Sequence, residues 1–267
     1  MTAAGDAAPA SPGSLIVTFA GLYLRPIGGW IAVADLITLL GAAGVAPNAV
    51  RQALVRLKSR DFLAGERRAG RAGYALTEAA RADLETGDRR IWRFGEAEPT
   101  DGWVLAVFSV PEHARAERHR LRTVLSWLGF GTVGAGVWIA PAALAAPARE
   151  QVSAAGLGAY VTWFAGATLE LADAAAWWDL EELRRLYSEF LDRWRDVDAT
   201  TEPGAAFAGY LKLVDDWRQF PRIDPGLPAG LLPPDWPGRR AFRTFSGLRD
   251  RWSDIAADFV SRSLRTR

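Results

Sequence analysis

Between Val45 and Thr77 the chain reads VAPNAVRQALVRLKSRDFLAGERRAGRAGYALT, and these residue types can read a nucleic acid. Arg and Gln make paired hydrogen bonds to guanine and adenine edges in the major groove. Here Arg51, Gln52, Val55, Arg56, Lys58, Ser59 and Arg60 are interleaved with Val50, Ala53, Leu54 and Leu57, which recur at helical spacing. One face of such a helix faces a core and the other is cationic. Asn48 stands where an N-cap is expected, its side-chain oxygen accepting a free N–H of the first turn. Farther on, Phe62 to Arg67 and Gly73 to Thr77 suit two strands, joined by the glycine-bearing stretch Arg68 to Ala72. Arg67, Arg68 and Arg71 lie near the tip, where cations reach phosphates or a minor groove. The roles expected are base contacts for Arg51 and Gln52 and backbone contacts for Arg67, Arg68 and Arg71. Asn48, Arg56 and Lys58 join them with less to distinguish their role.

A solvated amphipathic helix carries the same charges, so the neighbouring elements decide. Leu15 to Leu24 predicts one helix and Val33 to Leu40 another, and Gly41 to Val45 is a turn able to join crossing helices. Three helices followed by a hairpin is the winged helix-turn-helix order. Thr77 to Leu84 predicts a helix leaving the hairpin, capped by Thr77. Glu85 to Asp101, with Trp92, Phe94 and Pro99, follows as a linker or connecting helix.

A second unit begins at Trp103. The apolar run Trp103 to Val110 predicts a buried strand, Pro111 to Leu128 an amphipathic helix, Val133 to Ile139 a strand, Ala145 to Ala155 a helix and Tyr160 to Phe164 a strand. That order suggests a ferredoxin-like sandwich. From Asp173 onward the periodicity is helical, interrupted by the proline-rich stretch Pro221 to Pro237. The expected class is therefore α+β. Residues 1–13 are a disordered leader, 14–85 the winged helix-turn-helix and 86–101 a linker. A central ferredoxin-like unit over 102–172, with a dimerising or effector role, precedes a mainly helical unit over 173–267.

Composition narrows the chemistry. The 267 residues are 49% hydrophobic with 12 Trp and 12 Phe, ample for buried cores, and net charge is only +1. The basicity is local: residues 48–93 hold eleven Lys or Arg against six acids, about +5. The chain has no cysteine, which removes disulfides, thiolate metal sites and a Cys nucleophile. No apolar run approaches the roughly 18 residues of a membrane span, and the N-terminal stretch lacks the pattern of a signal peptide. A cytoplasmic protein with no membrane partner is expected. Gly129 to Gly134 matches G-x-G-x-x-G but follows a helix and opens a strand, the reverse of a dinucleotide site. His113 and His119, the two histidines, fall on different helical faces, no G-x-S-x-G elbow exists, and neither a metal site nor a catalytic constellation is expected. Arg115, Arg118, His119, Arg120 and Arg122 form a basic helical face, ordinarily solvated. Arg184, Arg185, Trp236, Arg239, Arg240 and Arg243 combine cations with aromatics and are the candidates for holding a phosphorylated aromatic ligand.

The segment AVRQALVRLKSRDFLAGERRAGRAGYALTEAAR resembles the N-terminal winged helix of the PaaX family of repressors. WVLAVFSVPE, GVWIAP and the long DPGLPAGLLPPDWPGRRA follow in the family's order, so the resemblance spans nearly the whole chain after Leu15. It implies a homodimeric transcriptional repressor of phenylacetate or related aromatic-acid catabolism. That repressor would bind an inverted-repeat operator and be released by an aryl-acyl-CoA such as phenylacetyl-CoA, with no cofactor. It also implies a central domain similar to the ferredoxin-like Cas2 nucleases. Those need an acidic metal ligand at the end of the first strand, and WVLAVFSVPE carries no Asp there. Two rivals remain at this point: a nucleotide hydrolase or nuclease built on the ferredoxin-like unit and targeted by the winged helix, and a winged helix that contacts protein instead of DNA.

Overall fold

The computed structural model describes residues 11–93, 102–167 and 174–265. Residues 1–10 of the expected leader and 94–101 of the expected linker lie outside the described residues. The elements in chain order are α1 (Pro12–Phe19), a π-helical turn (Ala20–Leu24), β1 (Trp30–Ala32), α2 (Val33–Ala42), α3 (Pro47–Ser59), β2 (Leu63–Arg68), β3 (Arg71–Leu76), α4 (Glu78–Arg93) and β4 (Trp103–Phe108). There follow α5 (Arg115–Trp127), β5 (Gly131–Gly134), β6 (Val137–Pro141), α6 (Ala145–Ala154), β7 (Val161–Gly166), α7 (Leu180–Trp194), α8 (Pro203–Trp217), α9 (Phe220–Ile223) and α10 (Gly238–Arg265). They form two compact units. One comprises Met1–Trp92, Glu189–Arg218 and Arg240–Arg267; the other comprises Arg93–Ser188 and Gln219–Arg239. The helical stretch expected over 173–267 is thus divided between the two.

In the first unit α1, α2 and α3 turn Leu15, Ile16, Phe19, Leu36, Leu39, Leu40, Val50, Leu54 and Leu57 into one core. Helix α8 packs on α1 and α2. Phe207 of α8 lies 6.5 Å from Phe19 and 5.8 Å from Tyr23, ring centre to ring centre. The polar seam between α1 and α8 converges on Asp215. Its Oδ1 accepts hydrogen bonds from Ser14 Oγ at 2.7 Å, Thr18 Oγ1 at 2.6 Å and Arg218 Nε at 3.0 Å. Arg218 also donates to Ser14 Oγ at 2.8 Å. A carboxylate this enclosed requires such partners, because an unpaired buried charge is costly. On α10, Phe245 stacks on Trp217 at 4.5 Å and Trp252 meets Trp194 edge to face.

Three local expectations are corrected here. Strand β1 was not anticipated, because three residues carry too little alternation to be read. It pairs antiparallel with β3, giving the sheet order β1-β3-β2. Helix α4 does begin with Thr77 as cap, Ala80 N–H donating to its Oγ1 at 3.1 Å. It does not stop near Leu84 but runs to Arg93, held by the Arg25–Asp88 ion pair and by Trp92 stacking on Phe245. The first helix starts at Pro12, with Ser11 as its cap.

In the second unit the order is βαββαβ, and the four strands are antiparallel in the order β5-β6-β4-β7. That is a ferredoxin-like topology. The single strand expected over 133–139 is instead a hairpin, β5 to β6. Gly136 turns the chain at φ +79°, and a Cβ there would lie 2.7 Å from the Phe108 carbonyl. One face of the sheet, with Val104, Ala106, Trp138 and Ala140, packs on Leu121 and Leu125 of α5 and Ala148 and Val152 of α6. Trp103 and Ile139 point to the opposite face, as the period of two requires. Leu227 covers them, with Leu105, Trp177, Trp178, Leu231 and Leu232 around. The DPGLPAGLLPPDWPG stretch is therefore a strap over that face of the sheet.

Candidate nucleic-acid interface

Helix α3 is placed by its two ends. Gly44, at φ +84°, closes α2: its N–H bonds to Gly41 O, and Val45 N–H bonds to Leu40 O. The chain then re-enters a helix at Pro47, whose fixed φ and missing N–H suit the first helical position. That moves the start two residues ahead of the sequence expectation. Ala46 is the N-cap residue, and Asn48 sits inside the first turn, its Oδ1 accepting from Arg51 Nη1 at 3.1 Å. At the far end Asp61 adopts φ +56°, and the Phe62 N–H reaches Leu57 O at 3.0 Å.

The two faces of α3 separate cleanly. Val50, Ala53, Leu54 and Leu57 are buried. Asn48, Arg51, Gln52, Val55, Arg56, Lys58, Ser59 and Arg60 are exposed. The helix contains no Asp or Glu, so its open face is cationic without local compensation.

Beside it, β2 and β3 form a hairpin whose turn is only Ala69-Gly70, with Arg68 paired across to Arg71. Both turn residues have positive φ, 47° and 79°, the backbone of a type I′ turn. Arg67 is exposed and donates to Gly70 O at 2.6 Å. Arg68 is engaged twice: Nε donates to Glu66 Oε1 at 2.6 Å, and its guanidinium lies 5.6 Å from the centre of the Trp30 ring. The bond with Arg68 holds the Glu66 carboxyl below its usual range. Arg71 turns inward, Nη2 donating at 2.6 Å to Asp35 of α2, whose side chain is 6% exposed.

Trp30 is the residue that sequence reasoning missed. Its indole N–H donates to Glu66 O at 3.3 Å, and its ring lies under Arg68. Diagonally across on β3, where it pairs with Ala32, Gly73 leaves room: a Cβ there would lie 2.5 Å from both the Ile31 carbonyl and the Trp30 ring. Glycine beside tryptophan is a weak cue for close strand approach; nothing in the sequence identifies β1 as the partner.

The expected effector residues are spread over both units. In the second, Arg184 pairs with Asp235, and Arg185 Nη2 with Glu182 Oε1 at 2.6 Å. Trp236 is half-buried and meets Tyr187 edge to face at 6.1 Å. Tyr187 stacks on Phe220 at 4.2 Å and donates to Asp224 at 2.6 Å. Burial, and then the Asp224 charge, push its hydroxyl well above the usual range. Arg239 is exposed there, as are Arg240 and Arg243 in the first unit. On the basic face of α5, Arg118 donates to Val110 O at 2.8 Å and Arg120 pairs with Glu117 at 2.7 Å. Gly129 to Gly134 does lead from a helix into a strand. Among the described residues no three of His, Asp and Glu stand together as a metal site, and no helix is long and apolar enough to cross a membrane.

Three family models match in order: PaaX-like protein over residues 11–80, PaaX protein central Cas2-like domain over 96–177, and PaaX-like protein C-terminal domain over 178–262. The chain is 29% identical over 271 residues to Transcriptional repressor PaaX of Escherichia coli (strain K12), covering 96% of this chain and 85% of that protein. Among solved structures it is similar to the uncharacterized protein Rv0674 from Mycobacterium tuberculosis, with a TM-score of 0.60 and 26% identity over 96% of this chain and 99% of that one. From α3 and its hairpin through the Cas2-like sheet to the C-terminal helices, the chain belongs to the PaaX family.

Proposed function

We propose that this chain is a transcriptional repressor, a regulator rather than an enzyme, that binds operator DNA through an N-terminal winged helix-turn-helix. The observation that carries the proposal is the open face of α3, where Arg51, Gln52, Arg56 and Lys58 are exposed on a helix without a single acid. Helix α3 enters the major groove. Arg51 and Gln52 address base edges, and Asn48, Arg56 and Lys58 flank them. The hairpin is the wing. Arg67 and Arg68 at its tip hold the phosphate backbone, while Arg71 serves chiefly to fix the wing through Asp35.

The protein acts in the cytoplasm as a homodimer on an inverted repeat, its two recognition helices about one turn of DNA apart. It controls genes of aromatic-acid breakdown of the phenylacetate type, and an aryl-acyl-CoA such as phenylacetyl-CoA releases it. The support is the family membership together with three solvated cations, Arg239, Arg240 and Arg243, able to meet phosphates. Arg184, Arg185 and Trp236 already have partners within the protein, so they contribute less. Release follows only to the extent that the thioester binds the DNA-incompetent state more tightly.

Fluorescence anisotropy with duplexes from the promoter region of its own gene neighbourhood, at moderate salt, tests the repressor function. A specific complex, displaced by acyl-CoA but not by the free acid, is expected. Failure to form any specific complex would remove the function, and displacement by the free acid alone would replace the effector class.

A further inference from the structure

Val55 is out of place for a surface residue. It is 64% exposed, the most exposed large hydrophobic side chain among the described residues. It sits in mid-helix, where a β-branched residue is a poorer choice than Ala, Lys or Glu. Its exposed neighbours one turn away on α3, Arg51, Gln52, Lys58 and Ser59, are all polar. Four residues after Arg51 and three after Gln52, it lies one turn from both, at the middle of the exposed arc that Asn48, Arg51, Gln52, Arg56, Lys58 and Ser59 complete. Nothing in α3 needs it for the core, which Val50, Ala53, Leu54 and Leu57 already fill.

An apolar group ringed by cations and amides is what a thymine-containing major groove fits. The cations meet phosphates and guanine, and the C5-methyl of thymine is the one apolar group the major groove displays. We propose that Val55 is a specificity-determining residue that contacts the 5-methyl of thymine, so that the operator carries a thymine opposite the centre of α3. This rests on the DNA-binding function above. The charge of the face, cationic with no acid in the helix, favours a duplex over a protein partner as its occupant.

Removing that one methyl tests the contact. The full-length protein selects its tightest duplex from a randomised pool, and each thymine of that duplex is then replaced singly by deoxyuracil, which pairs identically and lacks only the methyl. At one or two positions the wild-type protein should lose about fourfold in affinity, the contribution of one buried methyl-sized group. Val55→Ser should bind the thymine and uracil duplexes alike at those positions, with an unchanged response at all others. Val55→Ala serves as a second variant; neither should lower Tm, since the side chain is exposed, and Ala, the better helix former, should raise it slightly. If every thymine tolerates the replacement, or if Val55→Ser responds to it as the wild type does, the contact does not exist. If the wild-type protein selects no duplex at all, the DNA-binding function fails first and this assignment with it, a result distinct from selection followed by indifference to the methyl.

Discussion

Arg71 of the hairpin and Asp35 of α2 are joined by a 2.6 Å charge-assisted hydrogen bond across 36 residues of sequence, and the carboxylate end is buried. The hairpin is thereby held to the helical part of its unit by a charge and not by apolar packing alone; on β2, only Leu63 is buried. Asp35→Asn keeps the shape and removes the charge. It should raise amide exchange across 63–76 and weaken DNA binding by about tenfold, equally for operator and random duplex. A change in base preference instead would mean that Arg71 contacts bases itself.

Arg51 and Arg68 should separate into different roles. Arg51→Ala should reduce discrimination between operator and mismatched duplex by about 1–3 kcal/mol. Arg68→Ala should weaken binding to every sequence and lower the slope of log affinity against log salt by about one. Equal losses of specific and nonspecific binding in both variants would overturn the division of labour.

Glu66 restrains Arg68, its nearest carboxylate. Glu66→Gln releases the guanidinium for phosphate, and affinity for any duplex should rise by about two- to fivefold at low salt. Unchanged affinity would show that Arg68 does not face the backbone.

The positive-φ position at Ala69 lacks the amino acid that suits it. Ala69, at φ 47°, opens a type I′ turn. Ala69→Asn or Ala69→Gly should raise the unfolding free energy by a few tenths to about 1 kcal/mol. Gly73→Ala should do the reverse, since its Cβ would strike the Ile31 carbonyl and the Trp30 ring. A lower Tm for both Ala69 variants would argue against this turn.

Helix α8 supplies a pH-dependent contribution. The Glu202 carboxylate accepts the N–H groups of Gly204 at 3.0 Å and Ala205 at 2.6 Å, which lowers its pKa. A lowered folded value gives stability fully present above the unfolded value of about 4.3. It is lost as pH falls through the folded value. Glu202→Ala should therefore lower Tm by about 2–4 °C at pH 7, with the difference from wild type shrinking as pH falls through the lowered folded value.

What could be read from the residues was whatever a helix period reports. Val50, Ala53, Leu54 and Leu57 face inward as their spacing requires, because burial and periodicity are one signal in an amphipathic helix. The length of the hairpin turn was not legible. Arg68 to Ala72 has the composition of a loop, and nothing about an alanine at 69 announces a left-handed backbone. Asn48 looked like a cap because caps are asparagines, but Pro47 set the helix start. The pairings that assign roles lie between distant residues: Arg71 with Asp35, Arg184 with Asp235, Trp30 beneath Arg68. A sequence lists these cations as equals, and only tertiary contact separates those engaged internally from those left to a ligand.

The Asp215 seam has a consequence for how this protein is made. The unit that contains α3 is assembled from three stretches of chain, the last of them α10. On a ribosome Phe19 and Tyr23 emerge long before Phe207, which covers them, so the N-terminal helices wait with apolar surface open until the C-terminal helices arrive. The N-terminal stretch transplanted between relatives at residue 92 would leave part of its core behind; a working exchange has to move α8 and α10 along with it.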